Sequence, residues 1–311
     1  MLKLGKPLAL MVAVFSLALL GGLACGAEDG EGDGGGGGGS GPDGPPTPDA
    51  YLPQVYGNCP EFPVRDPRRT GSPVGATVTF QTERGNRSVM MWMGEAAKTL
   101  DGPLMFYWHG YGDTPNYNGM SWDSLYELLD MGGIYVAPAV DPVGGASWQG
   151  EWSDAEFATI DQVVACAIAT VGIDTRRIHA LGFSAGGAQV YRMMHERSGY
   201  LASTILYTPA GARAPIGPRQ ETKNKIPSII TWGAADAFQF RQSSEYYFDV
   251  LTEGYGFFSI LCNHPGAHQT DTLVRENAAL DFFLAHPFGT DPSPYADVFP
   301  DSVPHYCSRS K

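Results

Sequence analysis

The sequence of 311 residues predicts an α/β fold, in which helices cover both faces of a mostly parallel central sheet. Two observations favour this fold class. Between residues 76 and 285, short apolar segments alternate with longer segments of helical spacing, which is the order of a parallel sheet with crossover helices. The chain is also 43% hydrophobic and 12% aromatic, which suffices for the core that a layered fold needs.

The predicted elements follow in chain order. Residues 76–81 and 88–93 are expected to form an N-terminal antiparallel hairpin, with Gly85 and Asn86 in its turn. Further strands are predicted at residues 103–109, 134–140, 177–183, 204–207, 227–232 and 257–262. Helices are predicted at residues 154–171, 185–197, 243–252 and 272–285. In such sheets ligands bind at the carboxyl ends of the strands, so the loops after the strands are expected to carry the site.

The first fifty residues predict export. Residues 1–24 combine two lysines, an apolar run and small residues, as a secretory signal peptide does, and the run is short for a transmembrane anchor, which stays the alternative. Cys25 follows, and the segment resembles the lipidation signal of bacterial lipoproteins. This implies a lipid on Cys25 and an outer-membrane or cell-surface location; the alternative is a plain signal peptide and a secreted or periplasmic product.

Residues 25–50 predict a disordered tether. Positions 26–50 hold eleven glycines and six acidic residues, with no lysine or arginine. Such a segment cannot bury enough apolar surface to offset its chain entropy. Residues 51–311 are then expected to form one folded domain.

The acidic balance of the chain excludes two classes of function. The formal net charge is −13, from 20 basic and 33 acidic side chains. Binding to nucleic acid or to a membrane surface relies on clustered basic residues, so neither partner is expected, and contact with a membrane is predicted only through the lipid anchor. No cysteine or histidine spacing resembles a zinc site, and the domain is expected to be a monomer.

The segment Gly182-Phe183-Ser184-Ala185-Gly186 matches the pattern G-x-S-x-G. It follows an apolar strand and opens a predicted helix, which is the setting of a nucleophile elbow. Strand and helix pass close together in such a turn, so side chains at the two glycines would clash. The sequence therefore predicts Ser184 as a nucleophile; the alternative is a turn serine in an ordinary βα unit.

A nucleophilic serine needs a histidine to accept its proton and a carboxylate to orient that histidine. Where the nucleophile sits on an elbow, the chain order is serine, acid, histidine. Asp236 follows the strand at 227–232 and is the predicted acid, with Asp249 as the alternative. His268 lies past the last strand and is the predicted base, with His264 as the alternative.

Two backbone N–H groups are predicted to form the oxyanion hole. The first belongs to Ala185, directly after the nucleophile, and the second to Tyr111, in the loop after the strand at 103–109. Gly112 is the alternative second donor, and His109 is expected to be structural.

Aromatic residues of the loops at the same end of the sheet are candidates for the substrate pocket, although they are equally suited to covering the edge of the core: Trp148, Trp152, Tyr117 and Phe238. Few residues remain for a lid, which predicts an open site.

Several of these segments together resemble one family. They are His109-Gly110, Gly182 to Gly187, Trp232 to Asp236 and His264 to His268. They look like the α/β-hydrolase superfamily, and within it the secreted polyhydroxybutyrate-depolymerase-like and feruloyl-esterase-like enzymes. The resemblance covers about residues 75–285 and implies the α/β-hydrolase fold with a minimal lid, a triad of Ser184, Asp236 and His268, and hydrolysis of a carboxylic ester without a cofactor.

The chain departs from that subgroup in two respects. The loop after His109-Gly110 reads Tyr-Gly-Asp-Thr-Pro, which makes the second oxyanion donor less certain than the triad, and no segment of the printed sequence resembles a substrate-binding domain. A small or oligomeric ester is therefore favoured over a solid polyester, and the ester is expected to be small, aromatic of the feruloyl type, or of the polyhydroxyalkanoate type. A peptidase or other acyl hydrolase on the same triad is the alternative activity, and a catalytically inactive surface lipoprotein that binds a partner is the alternative of another class.

Besides Cys25, the chain has four cysteines, and an exported protein with an even number of them is expected to form disulfides. Three pairings of these four are possible. One possibility is a bridge from Cys59 to Cys307, which lie near the two ends of the domain, and this bridge would pin the C-terminal tail down. Cys166 and Cys262 then either pair or stay as buried thiols.

Overall fold

The computed structural model describes residues 46–116, 118–139, 152–211, 217–238 and 240–310. These residues contain one nine-stranded sheet. Its strands are β1 (Ala76–Thr82), β2 (Gly85–Met93), β3 (Leu104–Trp108), β4 (Ile134–Pro138), β5 (Ile178–Phe183), β6 (Ser203–Tyr207), β7 (Ser228–Gly233), β8 (Ser259–His264) and β9 (Cys307–Arg309). They lie in the order β1-β2-β4-β3-β5-β6-β7-β8-β9.

The centre of the sheet is parallel and its two edges are antiparallel. Every neighbouring pair from β4 to β8 runs parallel. At one edge β1 pairs with β2 and β2 with β4 in antiparallel fashion, and at the other edge β9 pairs with β8 in the same way. The parallel arrangement brings the carboxyl ends of β3, β5, β6, β7 and β8 to one edge, where the predicted site residues follow the strands.

Helices cover both faces of the sheet. They are α1 (Pro67–Thr70), α2 (Trp122–Asp130), α3 (Phe157–Thr170), α4 (Ala185–Glu196), α5 (Arg241–Asp249) and α6 (Ala279–Ala285). Short 3-10 turns lie at Asp49–Tyr51, Glu95–Lys98 and Asp154–Glu156, and π-helical segments at Val250–Gly254 and Val274–Ala278 continue α5 and precede α6.

The core has two halves because the side chains of a strand alternate between faces. Leu104, Phe106 and Trp108 of β3 pack in one cluster with residues of α3, α4 and α5, whereas Met105 and Tyr107 of β3 pack in the other with residues of α2 and α6. All five residues of β3 are buried. The continuous apolar character of this strand, which supported the sequence prediction, follows from its burial on both faces.

The fold class predicted from the sequence is confirmed, and the hairpin turn is corrected. Thr82 pairs with Gly85, so Glu83 and Arg84 form the turn, and Gly85 and Asn86 already belong to β2. Gly85 has a φ of +96°. The glycine is therefore needed directly after the turn, where the backbone takes a positive φ, and not at the centre of the turn.

The structure decides the disulfide pairing that the sequence left open, and it does not contain a bridge from Cys59 to Cys307. The bridges are Cys59–Cys166 and Cys262–Cys307. Cys262 and Cys307 are direct partners in the register of β8 and β9, a short strand that the sequence prediction lacks. This pairing places Cys307 beside Cys262 and leaves Cys59 to join α3 through Cys166.

The predicted signal peptide, Cys25 and the tether up to residue 45 lie outside the described residues. Within the part of the chain that the structure describes, no helix is long and apolar enough to span a bilayer. The described chain begins at residue 46, five residues before the predicted start of the domain, and Asp49–Tyr51 already forms a 3-10 turn.

Candidate active site

Ser184 lies between the end of β5 and the first residue of α4. Its φ of +55° and ψ of −116° fall in a region that non-glycine residues rarely occupy, at a cost on the order of 1–3 kcal/mol. Three backbone hydrogen bonds hold this conformation: its N–H donates to Tyr207 O (2.9 Å), and its carbonyl accepts from Ala188 N–H (3.1 Å) and Ala210 N–H (2.9 Å). Ser184 is 7% exposed, so its side chain meets solvent only through the cavity described below.

The two glycines of the motif are required by close backbone approach. A Cβ on Gly182 would overlap the carbonyl group of Gly186, and a Cβ on Gly186 would overlap the carbonyl oxygen of Trp108. These overlaps involve backbone atoms, which cannot move aside as a flexible side chain can. The structure therefore agrees with the prediction that side chains at Gly182 and Gly186 would clash with the neighbouring backbone.

His268 and Asp236 complete a chain of hydrogen bonds that starts at Ser184. The distance from Ser184 Oγ to His268 Nε2 is 3.0 Å, and the distance from His268 Nδ1 to Asp236 Oδ2 is 2.9 Å. The side chain of Asp236 is 2% exposed and that of His268 is 17% exposed. The structure thus brings together the three residues that the sequence singled out, each from the loop after a different strand.

The loops that carry the acid and the base are bonded to each other. Ala234 N–H donates to His264 O (2.8 Å), and Ala235 N–H donates to Gly266 O (3.0 Å). A Cβ on Gly233 would overlap the backbone of Ala267, so the loops pack as closely as backbones allow. The second oxygen of Asp236 accepts a hydrogen bond from Phe238 N–H (2.8 Å), which fixes the carboxylate plane toward the imidazole.

The two alternatives for the acid and the base lie elsewhere. Asp249 is the last residue of α5. His264 ends β8 and is buried, and its Nδ1 accepts a hydrogen bond from Gly266 N–H (3.2 Å). Burial lowers the pKa of His264, and the nearby carboxylates of Asp271 and Asp236 act in the opposite direction. Its role in the structure is to hold the loop that presents His268.

The predicted oxyanion donors flank Ser184. Ala185 is the first residue of α4, so its N–H lacks an acceptor within the helix. Tyr111 lies in a turn in which Asp113 N–H donates to Gly110 O (3.2 Å) and Gly112 has a φ of +72°, as a type II turn requires. A Cβ on Gly110 would lie 3.5 Å from Ser184 Cβ, so this turn passes directly beside the nucleophile.

His109, for which a structural role is predicted, is buried behind the loop of Tyr111. It is 1% exposed, its ring packs against Trp152 with centroids 4.7 Å apart, and burial lowers its pKa. Trp152 is itself 4% exposed, and its indole N–H donates to His109 O (2.9 Å). Trp152 therefore lines the cavity over Ser184, and its hydrogen bond to His109 O stabilises the start of the loop that contains Tyr111.

A cavity of about 720 Å³ opens over Ser184 and His268. Aromatic rings surround the imidazole: the ring centroids of Phe183, Phe238 and Phe240 lie 4.8, 5.0 and 5.0 Å from that of His268. Phe238 and Phe240 stack on each other at 5.8 Å, and Phe238 is 67% exposed. Tyr111, which is 54% exposed, also lines the cavity.

Of the predicted pocket residues, Trp152 and Phe238 line this cavity, and Trp148 and Tyr117 lie outside the described residues. Residues 140–151 and 212–216 also lie outside them, so the open, lid-poor site stays a prediction. Among the described residues, no group of three or more histidine, cysteine or acidic side chains could hold a metal ion.

A scan against protein-family models finds no match, and a comparison with curated protein sequences finds none either. Solved structures do match. The protein described as sOPH native is 18% identical, with a TM-score of 0.55 over 81% of this chain and 96% of that chain. A thermostable esterase is 14% identical, with a TM-score of 0.54 over 69% of this chain and 63% of that chain, and pOPH native is 17% identical, with a TM-score of 0.53 over 76% and 93%.

This chain shares the arrangement of its sheet and helices with these solved structures, and this arrangement identifies the fold. The chain has the α/β-hydrolase fold. The sequence prediction missed two residues that line the candidate site or hold it in place, Phe240 and Thr208. Phe240 stands two residues after Phe238, and that i, i+2 pair of rings next to the predicted acid was a usable signal. Thr208, which bonds to the loop of His268, carries no such signal because its left-handed backbone has no counterpart in sequence.

Proposed function

We propose that this α/β-hydrolase is a serine hydrolase of carboxylic esters, with Ser184 as nucleophile, His268 as base and Asp236 as the acid that orients it. The observation that carries the proposal is the continuous chain of hydrogen bonds from Ser184 Oγ through both imidazole nitrogens to Asp236 Oδ2. The esterase among the structural neighbours is in accord with it, although the identities are too low to transfer an activity.

The proposed reaction passes through an acyl-enzyme. Ser184 Oγ attacks the ester carbonyl as its proton moves to His268 Nε2, and Ala185 and Tyr111 N–H groups donate to the oxyanion that forms. When the tetrahedral intermediate collapses, His268 returns the proton to the departing alkoxide, which leaves as the alcohol. Water then repeats both steps on the acyl group and releases the acid, while the hydrogen bond to Asp236 Oδ2 holds the imidazole in place.

Replacement of the nucleophile tests the proposal. Ser184→Ala is expected to lower kcat for p-nitrophenyl butyrate by about 10⁴-fold or more, because no other group in the site supplies the nucleophile. Ser308→Ala, on the exposed strand β9, is the matched control and should keep full activity. Unchanged turnover in the Ser184 variant would refute the assignment. Failure of a fluorophosphonate to label wild-type Ser184 would favour an inactive binding module.

For the substrate we propose an ester with an aromatic or extended apolar group. The rings of Phe183, Phe238 and Phe240 beside His268 support this, because stacking on an aromatic side chain rewards a flat apolar group. A panel of hydroxycinnamate esters, p-nitrophenyl esters of increasing chain length and polyhydroxybutyrate measures the preference as kcat/KM. An amide and a lactone in the same panel distinguish an esterase from a peptidase or another acyl hydrolase on this triad.

We also propose that the domain works outside the cytoplasm, carried on the tether and on a lipid at Cys25. Two disulfides join the four cysteines of the described domain, and such bonds persist in oxidising compartments. The net charge of −13 disfavours direct binding to an anionic membrane surface, so contact with the membrane would depend on the anchor.

A further inference from the structure

Thr208 has an unusual backbone conformation for its residue type. Among the described residues, only Ser184 and Thr208 have a positive φ without being glycine, and Thr208 has a φ of +44°. Thr208 is also β-branched and precedes a proline, and each of these features restricts the backbone further. It is fully buried at the end of β6, so the surrounding structure imposes this conformation.

The contacts of the segment from Tyr207 to Ala210 reach both halves of the proposed triad. On one side, Tyr207 O accepts from Ser184 N–H and Ala210 N–H donates to Ser184 O, both at 2.9 Å. On the other side, Thr208 Oγ1 donates to the carbonyl oxygen of Gln269, the residue after His268, at 3.3 Å. Thr208 N–H donates to Thr231 O (2.9 Å), which anchors the segment to β7.

The left-handed turn at Thr208 makes this double contact possible. An extended residue would continue along β6, whereas the observed turn lets Pro209 pack against Gly187 of the elbow, with Pro209 Cα 3.0 Å from a Cβ placed there. The hydroxyl of the same residue bonds to the loop of the base. The segment therefore spans the gap between the nucleophile and the base, which the backbone bonds between the acid and base loops do not bridge.

We infer that Thr208 is a positioning residue whose side-chain hydroxyl fixes the distance between Ser184 Oγ and His268 Nε2. This inference rests on the proposed esterase function. Without the hydroxyl, the loop of His268 keeps its bonds to the loop of Asp236 but loses its tie to the segment that holds Ser184. Small displacements between reacting groups cost rate more than they cost ground-state binding, so kcat is the parameter that Thr208 controls.

Two matched pairs of variants test the hydroxyl alone. Thr208→Ser and Thr208→Ala both remove the methyl group and differ only in the hydroxyl. Thr204→Ser and Thr204→Ala form the control pair, because Thr204 is also fully buried on β6 and its hydroxyl bonds to Ser228 Oγ at 2.9 Å, away from the site. For each variant kcat and KM on p-nitrophenyl butyrate are measured per active site, counted by fluorophosphonate labelling, so unfolded protein does not enter the rate.

The expected kcat ratio of the serine to the alanine variant is about ten at position 208 and about one at position 204, with KM within about twofold throughout. Thr208→Val, which keeps both branches but lacks the hydroxyl, should behave as the alanine variant does. A ratio near one at position 208, or equal ratios at both positions, would overturn the inference while wild type remains active. A wild type that neither labels nor hydrolyses esters would instead refute the proposed function and, with it, this inference.

Discussion

At the scale of single residues, Tyr111 and Gly112 are the two candidates for the second oxyanion donor. Tyr111 occupies the second position of the type II turn that begins at Gly110, and proline is well tolerated at that position. Proline lacks an N–H, so it removes the donor while it preserves the turn. This geometry allows a backbone hydrogen bond to be deleted by mutation.

Tyr111→Pro is expected to lower kcat for ester hydrolysis by about 10²–10³-fold, the usual cost of losing one oxyanion donor. Tyr111→Phe keeps the N–H and removes only the phenolic hydroxyl, so it should retain kcat. Steady-state kinetics of both variants measure the difference. Full activity in the proline variant would assign the donor to Gly112.

At the scale of elements, the two disulfides anchor different parts of the fold. Cys262–Cys307 closes a separation of 45 residues and holds β9 against β8, whereas Cys59–Cys166 closes 107 residues and holds the N-terminal segment on α3. In the chain-entropy account, the larger loop contributes more stability. The carboxylate that pairs with His268 belongs to the loop after β7, and neither bridge is part of that loop, so we expect the site to keep its geometry without either bridge.

Replacement of Cys262 and Cys307 together by alanine is expected to lower the free energy of unfolding by about 2–4 kcal/mol while kcat stays within about twofold. The corresponding double replacement of Cys59 and Cys166 should lower it by more. Urea denaturation with linear extrapolation gives both values. A larger loss from the shorter loop would contradict the entropic account.

The sequence predicted the elements whose own residues carry a recognisable pattern, such as a continuous apolar run or the motif of the elbow. β3 and β5 are continuous apolar runs because they are buried on both faces, and the elbow carries its own pattern. β9 has three partly exposed residues and exists through its pairing with β8, which no local pattern reveals. α2 did carry a signal, with Ser121 as its N-cap and Leu125, Leu128 and Leu129 on one face, so its omission was avoidable.

The site follows the same division. The chain order of serine, acid and histidine, together with the ends of the strands, predicted Ser184, Asp236 and His268 without knowledge of their distances. The contacts that support these three residues could not be predicted from the sequence, because they depend on where separate loops meet in the fold. Thr208 bonds to a carbonyl 61 positions away, and the pairing of Cys262 depends on a strand 45 positions away.

At the scale of the whole molecule, buried histidines link stability to pH. Burial lowers the pKa of His195 and that of His286 to about 4, whereas an unfolded chain titrates its histidines near 6.5. Between these values the unfolded state binds more protons, so the free energy of unfolding rises with pH there. This stability is complete above pH 6.5 and is lost as the pH falls toward 4.

From pH 7.5 to pH 5.0 each of these two histidines is expected to lower the free energy of unfolding by about 2 kcal/mol. His195→Phe should remove about half of this combined loss, because neither ring nitrogen of His195 has a hydrogen-bond partner among the described residues and the ring packs between Tyr191 and Tyr255. Urea denaturation at both pH values tests this, with exposed His305→Gln as the control. An unchanged pH dependence in the His195 variant would contradict the account.

The backbone bonds between the loops of Asp236 and His268 make the acid and the base one mechanical unit. Ser184 belongs to a second unit, built from the elbow and the end of β6. A relative motion of the two units would break the side-chain bonds that join them, from Ser184 Oγ to His268 Nε2 and from Thr208 Oγ1 to Gln269 O. The imidazole of His268 would stay paired with Asp236 during such a motion, so the contact with Ser184 could form again without rebuilding that pair.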